Sequence, residues 1–233
     1  MGLDIKQAVI FCAGKGSRLS AYTNNIPKVL VNLNGKSILE YKLDNLQGLV
    51  EEVILVIGHM GDRVRDLFGE SYGNLKISYC YQKELLGSGH ALIQAKDNLE
   101  GRFLVLNGDD IYSKSDIIRL MNSPLGIMGM KVSNTQGFGI LRINEEDNSL
   151  DEIIEKPREF VSDIANVGAY VLDSKIFDYE LKKSARGEYE IVDYLNYLIG
   201  IGDIVSVSII EDYWLPINTV EQLEVARRFF DEN

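Results

Sequence analysis

Cysteine is scarce in this 233-residue chain, which has only Cys12 and Cys80. Two isolated thiols supply neither a zinc set nor a disulfide framework. Each lies in an apolar or aromatic run, AVIFCAG and ISYCYQ, that reads as a strand, so both are expected to be buried structural thiols. Histidine is as scarce. His59 follows a strand-like run, where packing or a loop hydrogen bond is expected, and His90 stands at a predicted helix start. With no further His or Cys cluster, neither reads as a metal ligand or a catalytic base. No stretch approaches the roughly 20 apolar residues that cross a bilayer. The opening MGLDIKQAVIFCAGKG has no basic segment followed by a signal-length apolar run, and Met1-Gly2 runs to Lys6-Gln7 without the Ser or Thr of a myristoylation site. A cytoplasmic protein away from the membrane is the expectation. Basic residues are outnumbered, 24 Lys+Arg against 35 Asp+Glu for a net charge of −11, a field that repels nucleic-acid backbones and anionic headgroups. There is no Pro- or Ser-rich linker and no repeat at a 20–50-residue period.

What is present is ordinary globular usage, 45% hydrophobic and 25% charged, at a length where folding hides roughly 70% of the unfolded surface. Short apolar runs without polar alternation fall at 8–11, 53–58 and 103–106, with helix-compatible segments between them. That rhythm predicts an α/β fold with a Rossmann-like, mostly parallel sheet and helices on both faces. Helices are predicted over 37–49 and 62–68. From about 125 the text becomes strand-rich (GIMGMKV, GFGILRIN, LDEIIEK, NVGAYVLD), which predicts inserted strands. Helices follow near 174–183 and 190–199, then a strand at 204–210. A last helix starts at Thr219, with Gln222 three residues on as in a capping box. The whole is read as one domain over 1–233 with two lobes, 1–124 and 125–233.

The strongest local signal is Ala13-Gly14-Lys15-Gly16-Ser17-Arg18-Leu19, directly after the first strand. Backbone amides of a glycine-rich turn there can converge on phosphate oxygens. A dinucleotide fingerprint would need Gly at Leu19, and a Walker A loop ending at Gly35-Lys36-Ser37 would need Gly at Leu30, so both common nucleotide motifs fail. Arg18 offers a planar fork for a polyphosphate and Lys28, after Pro27, a point charge.

The segment AGKGSRLSAYTNNIPKVLVNLNGKSILEY resembles the signature of sugar-1-phosphate nucleotidyltransferases, and five further stretches follow in that family's order. Tyr81-Gln82 through Gly87-Ser88-Gly89-His90-Ala91 is similar to the base-recognition stretch, and Leu106-Asn107-Gly108-Asp109-Asp110 to the metal segment. Gly137-Phe138-Gly139-Ile140, Glu155-Lys156-Pro157 and Asn166-Val167-Gly168-Ala169-Tyr170 are similar to the sugar-side motifs. The resemblance implies the nucleotide-diphospho-sugar transferase fold, with a strand-rich sugar-binding insertion. It also implies a reaction in which a sugar-1-phosphate oxygen attacks the α-phosphorus of a nucleoside triphosphate and pyrophosphate leaves.

By that resemblance Arg18 and Lys28 are the catalytic cations, and Ala13, Gly14, Gly16, Ser17, Gln82, Gly87 and Ser88 bind the nucleotide. Gly139, Glu155, Lys156 and Asn166 bind the sugar phosphate, and magnesium is the cofactor. Asp109 is the expected first metal ligand, while neighbouring Asp110 reads as a loop or helix-cap carboxylate. The family's second ligand is usually an Asp near the C-terminus, where this chain has Pro216. Relatives acting on N-acetylglucosamine-1-phosphate use an Asn five residues before a helix Leu, and Asn218 stands five before Leu223, so Asn218 is the expected second ligand. Ser17 and Ser88 keep the hydroxyl of the commoner Thr, and Ala21 replaces a Pro. The acidic run Glu188 to Asp193 receives no role beyond capping and pocket wall.

UTP is the first-choice nucleotide and dTTP the second, because Gln82 can present an acceptor and a donor to a pyrimidine edge. A mannose-1-phosphate guanylyltransferase remains open, as do a cytidylyltransferase acting on a non-sugar phosphate such as choline phosphate and a nucleotide-binding regulator without turnover. The expected partners are nucleoside triphosphate and sugar-1-phosphate, with no nucleic acid and no membrane; related enzymes commonly associate, so a homo-oligomer is also in view. Many relatives carry a C-terminal left-handed β-helix, and this chain stops before any such repeat, so an acyltransferase activity is not expected.

Overall fold

The computed structural model describes residues 5–232. The Met1-Gly2 pair read above for lipidation lies outside them. Runs rich in β-branched and aliphatic residues form four parallel strands, in the spatial order Leu75–Tyr81, Glu52–Ile57, Gln7–Cys12, Arg102–Asn107. Beyond the last of these the sheet turns antiparallel. Ile164–Asp173 pairs with Arg102–Asn107, followed by Gly139–Ile143 and Leu150–Glu155, while Gly126–Lys131 and Ser206–Ile209 extend a second branch. The α/β fold with inserted strands is as expected, with the sheet parallel through these four strands and mainly antiparallel beyond them, where Ser206–Ile209 still runs parallel to Gly126–Lys131.

Successive side chains of a strand point to opposite faces, so a strand buried on both must be apolar throughout. Ala8, Ile10, Val53, Leu55, Leu104 and Leu106 pack on one face under the helices Ile38–Leu46, Gly61–Phe68 and Lys114–Met121. Val9, Ile54, Val56, Phe103 and Val105 pack on the other, under Ser88–Ala95 and Val192–Gly200. Fully burying each such side chain stabilises the fold by about 1.5–3 kcal/mol. Both cysteines are buried strand residues. Among the described residues no helix is long and apolar enough to cross a membrane.

Two helix starts follow local rules. Ser37 Oγ accepts from the Glu40 amide (3.2 Å) and the Glu40 carboxylate from the Ser37 amide (2.7 Å), a capping box worth about 1 kcal/mol. At the last helix, Val220–Glu232, Thr219 Oγ1 accepts from the Gln222 amide as expected, but the Gln222 side chain reaches one residue further back, to the Asn218 amide (2.8 Å). The helix expected near 174–183 is only a 3₁₀ turn, Ser174–Asp178. Residues 179–189 form an irregular segment with a turn at 184–187, where the Gly187 amide donates to Ser184 O (2.8 Å), and its end is pinned as the Tyr189 amide donates to Leu86 O and Tyr189 O accepts from the Gly89 amide. That stitch carries the acidic run to the edge of the cleft.

Candidate functional site

In an open sheet of this order the chain leaves the central strand and its neighbour toward opposite sides, and the crevice outside their carboxyl ends is the place for a ligand. The strands that meet there are Gln7–Cys12, continuing into Ala13-Gly14, and Arg102–Asn107, continuing into Gly108-Asp109. Gly108 makes the junction possible. A Cβ at that position would sit 1.9 Å from the Phe11 carbonyl oxygen, so only a residue without one lets the two strand ends lie together.

Two cavities open from this crevice. One, about 480 Å³, is lined by Ala13, Gly14, Lys28, Gln82, Gly87 and Asp109 among others. The other, about 430 Å³, is lined by Gly139, Glu155, Lys156, Asn166, Glu190 and Asn218 among others. Arg18, Ser88, Asn107 and Asp109 belong to both walls.

At the junction Lys28 is buried, with Nζ 2.6 Å from Asp109 Oδ2 and 3.0 Å from Asn218 Oδ1. Three residues separated by up to 190 positions are thus brought to one point. The strand Trp214–Pro216 pairs antiparallel with Asp110–Tyr112, Pro216 opposite Asp110, and the Ile217 amide donates to Asp109 O (2.9 Å). That register sets Asn218 beside Asp109, and the Gln222 side chain on its amide holds it. Proline at 216 is accommodated in a two-stranded edge.

Two oxygens, one carboxylate and one amide, converging on a cation form a hard donor pair of the kind magnesium takes, with substrate phosphate and water completing its shell. Among the described residues no group of three or more His, Cys, Asp or Glu could hold a metal by itself. The residues therefore fit a divalent ion held partly by substrate and do not fit a zinc site.

Ser17 and Arg18 are exposed on the short turn Ser17–Leu19, and the guanidinium has no ion-pair partner among the described residues. Gly16 stands at φ +64°, and a Cβ there would press within 3.0 Å of Lys28 Cβ, so the loop lies directly on the lysine. Gln82 is buried and Gly87 and Ser88 are half-buried; the Ser88 hydroxyl accepts from the Ile191 amide (3.1 Å). The side-chain amide of Gln82 does not offer its NH₂ to the cavity, since that group donates to Gly87 O (3.0 Å) and lies 3.2 Å from His90 Nδ1. The expectation that Gln82 presents both a donor and an acceptor is corrected to an acceptor.

On the second wall, Gly139 leaves room for Glu155, whose Oε2 would lie 2.7 Å from a Cβ at 139. Asn166 Oδ1 accepts from the Gly168 amide and Nδ2 donates to the Tyr170 hydroxyl, both at 2.9 Å, leaving one amide proton available. Lys156, in the left-handed region at φ +48°, turns its ammonium to 3.5 Å from Glu155. Strained backbone of this kind clusters at working sites.

Sequence reasoning left out Arg186 and Glu190. Arg186 Nη2 lies 2.5 Å from Glu190 Oε1 and 3.3 Å from Glu155 Oε1, so the two carboxylates are tied by one guanidinium. The signal was the Arg186-Gly-Glu-Tyr-Glu190 run itself, whose i, i+4 pairing across an irregular loop no local pattern predicts. Also missed was a buried layer beneath Asp109. Asp110 is a buried strand residue, not a loop or cap carboxylate, accepting from Asn107 Nδ2 (3.1 Å). Burial, then the Asp109 charge, pushes its carboxyl above the ordinary range. Burial pushes the Lys42 ammonium below its own, with the Asp110 charge opposing. Each charge is a reason to keep the other. Cys12, at the floor of the first cavity, has its thiol pushed up to about 12 by burial. His59 is exposed, and only its backbone bonds, weakly, to Ala13 O (3.4 Å).

A glycine turn at the switch point of a parallel sheet, with a buried lysine facing a carboxylate and an amide oxygen, defines a nucleotide-handling protein of the phosphate-transfer class. The comparisons are in accord: the nucleotidyl transferase family model matches residues 7–233, and the chain belongs to that family. It is 36% identical to the bifunctional protein GlmU of Methanococcus vannielii over 234 residues, covering 97% of this chain and 55% of that protein. It is 29% identical to the UTP–glucose-1-phosphate uridylyltransferase AglF of Haloferax volcanii, over 97% of each. A UDP-glucose pyrophosphorylase solved with UDP-glucose superposes with a TM-score of 0.88 at 22% identity, over 98% of this chain and 99% of that one, which shows the shared fold. The chain spans about half the length of the GlmU relatives it matches.

Proposed function

We propose that the chain transfers a nucleotidyl group, from UTP or dTTP in the first instance, to a sugar-1-phosphate and releases pyrophosphate. The observation that carries this reading is the Lys28–Asp109–Asn218 cluster, set where the two cavities meet. A reaction joining two phosphates needs its charge neutralised at the point of contact, and the Lys28 ammonium is fixed there, with the Asp109 carboxylate and Asn218 amide oxygen placed to hold a divalent cation beside it. The sugar-phosphate oxygen attacks the α-phosphorus, the bond from that phosphorus to the β-bridging oxygen breaks, and pyrophosphate departs.

In this reading the Ala13–Ser17 backbone cradles the triphosphate. Arg18, exposed and without an ion-pair partner among the described residues, is free to take the leaving β- and γ-phosphates. Lys28 follows the α-phosphate. Asp109 and Asn218 would hold magnesium, which when bound screens the negative charge of the reacting phosphates. Gly139, Glu155, Lys156 and Asn166 receive the sugar phosphate. Residues 1–124 then serve the nucleotide and 125–233 the sugar. The expected setting is the cytoplasm, with small-molecule substrates as partners. AglF supports the uridylyl reading, since its name assigns it UTP and glucose-1-phosphate and its length matches.

The test is pyrophosphate release with magnesium across UTP, dTTP, GTP, CTP and ATP against glucose-, N-acetylglucosamine- and mannose-1-phosphate, with Asp109→Ala as the blank. Turnover on one pair, lost in the variant, is expected. Magnesium-dependent nucleotide binding with no release on any pair would replace this reading with that of a regulator.

A further inference from the structure

We propose that His90 is a positioning residue for base selection, which by accepting from Gln82 restricts the site to bases carrying a ring N–H. The inference deepens the reading above and rests on its assignment of the first cavity to the nucleotide. A backbone carbonyl can only accept, so the Gln82 atom 3.0 Å from Gly87 O is the NH₂ nitrogen, which settles the amide's orientation. That nitrogen has two protons. One goes to Gly87 O and the other to His90 Nδ1, 3.2 Å away. The donor capacity of Gln82 is then used within the chain. Oε1 alone is left, without a partner among the described residues and not sealed from solvent, in a buried side chain lining the first cavity.

The clamp is built in. Gly87 has φ +103°, and a Cβ there would lie 2.4 Å from Tyr189 O, so its carbonyl direction is set by a backbone that only glycine adopts. His90 sits on the first turn of Ser88–Ala95 with Tyr189 stacked on its ring at 6.2 Å. For Nδ1 to accept, the proton must sit on Nε2, which faces the Gln94 carboxamide 3.3 Å away. The Gln94 NH₂ is itself held by donating to His90 O (3.1 Å), so two amides compete for the single imidazole lone pair, which goes to Gln82, the nearer at 3.2 Å against 3.3 Å.

A lone acceptor selects among bases by the atom that faces it. Uracil and thymine present N3–H and guanine N1–H. Cytosine N3 and adenine N1 present a lone pair, and two acceptors facing each other in a desolvated site lower affinity by about tenfold to a hundredfold. His90 thereby acts against the cytidylyl alternative without touching the base.

The experiment is equilibrium titration of the full chain with UTP and with CTP, in wild type, His90→Phe and His90→Asn. Wild type should bind UTP at least about tenfold more tightly than CTP. His90→Phe removes the acceptor and leaves the second proton of the Gln82 NH₂ free for a base acceptor, so the ratio should fall to within about threefold. His90→Asn, whose Oδ1 takes the place of Nδ1, should restore it. Equal wild-type affinities, or a ratio unchanged in His90→Phe, would overturn the proposal. If His90→Phe fails to fold, ¹⁵N NMR of wild type above neutral pH decides: a lone-pair Nδ1 with protonated Nε2 is expected, and a protonated Nδ1 overturns it. Because binding needs no turnover, the UTP/CTP ratio judges His90, while pyrophosphate release separately judges the transfer reaction.

Discussion

The first cavity exposes backbone in its wall at Ala13, Gly14, Gly87 and Gly108, at strand ends and helix starts, beside Arg18, Lys28, Asp109 and a glutamine whose NH₂ is already engaged. The second is walled in part by charged side chains, Glu155, Lys156 and Glu190, reaching in from two separate segments that Arg186 ties together. The difference bears on how each can change. A backbone wall moves only if a strand end moves, so it holds one ligand geometry; a side-chain wall can be retuned one substitution at a time without disturbing the sheet. The acceptor is accordingly where members of such a fold have most freedom to diverge.

The comparison breaks first at the junction shared by both walls. Lys28→Met keeps the bulk and removes the charge, and pyrophosphate release should fall about 10²–10³-fold, the usual cost of one preorganised donor. A loss below tenfold would mean Lys28 only pairs with Asp109. Next is the backbone wall. Gly108→Ala drives a methyl onto Phe11 O and should destabilise the fold by about 3 kcal/mol, read as a lower denaturation midpoint at unchanged slope. On the side-chain wall, a double-mutant cycle of Arg186→Ala and Glu190→Gln should show a coupling of about 1–2 kcal/mol in sugar-phosphate affinity, with UTP affinity unmoved. Coupling in UTP affinity would mean the two walls are not independent.

Two smaller effects sharpen the contrast between buried and exposed groups. Cys12, with its thiol at about 12, should resist iodoacetamide at pH 8 until the chain is unfolded. Glu52 behaves oppositely. Burial favours its neutral form, but hydrogen bonds from Lys76, Ser78 and Gln7 outweigh burial, so its folded pKa lies below the ordinary one. Such a carboxylate stabilises the fold above its unfolded pKa, and that contribution is lost as pH falls through the folded value. Glu52→Gln should therefore flatten the acid limb of the stability curve and shift the neutral limb slightly downward.

Legibility followed the range of the physics. Strands at 8–11, 53–58 and 103–106 could be read because a doubly covered strand must be apolar at every position. The cap at Thr219 could be read because it depends on a neighbour three residues away. The motif residues around the cleft could be listed in order because their stretches resemble those of the sugar-1-phosphate nucleotidyltransferases. Residues 174–183 misled because their helical composition yields only the 3₁₀ turn Ser174–Asp178 before the chain runs on to Tyr189, which is pinned to Leu86 and Gly89 far earlier in the chain. Asp110 misled for a related reason: only the pairing with Trp214–Pro216 makes it a buried strand residue.

Composition and pattern by themselves determined an α/β chain of one net sign, with a glycine turn after its first strand, because those properties reside in single residues and short periods. Which side chains share an atom-scale neighbourhood was decided by tertiary structure alone. Asn218 joins Lys28 through a strand register, Arg186 joins Glu155 and Glu190 through a loop held by Tyr189, and the Gln82 amide is oriented by a carbonyl and an imidazole. Hydrogen bonds act over about 3 Å, and sequence distance carries no information at that scale until the chain has folded back on itself.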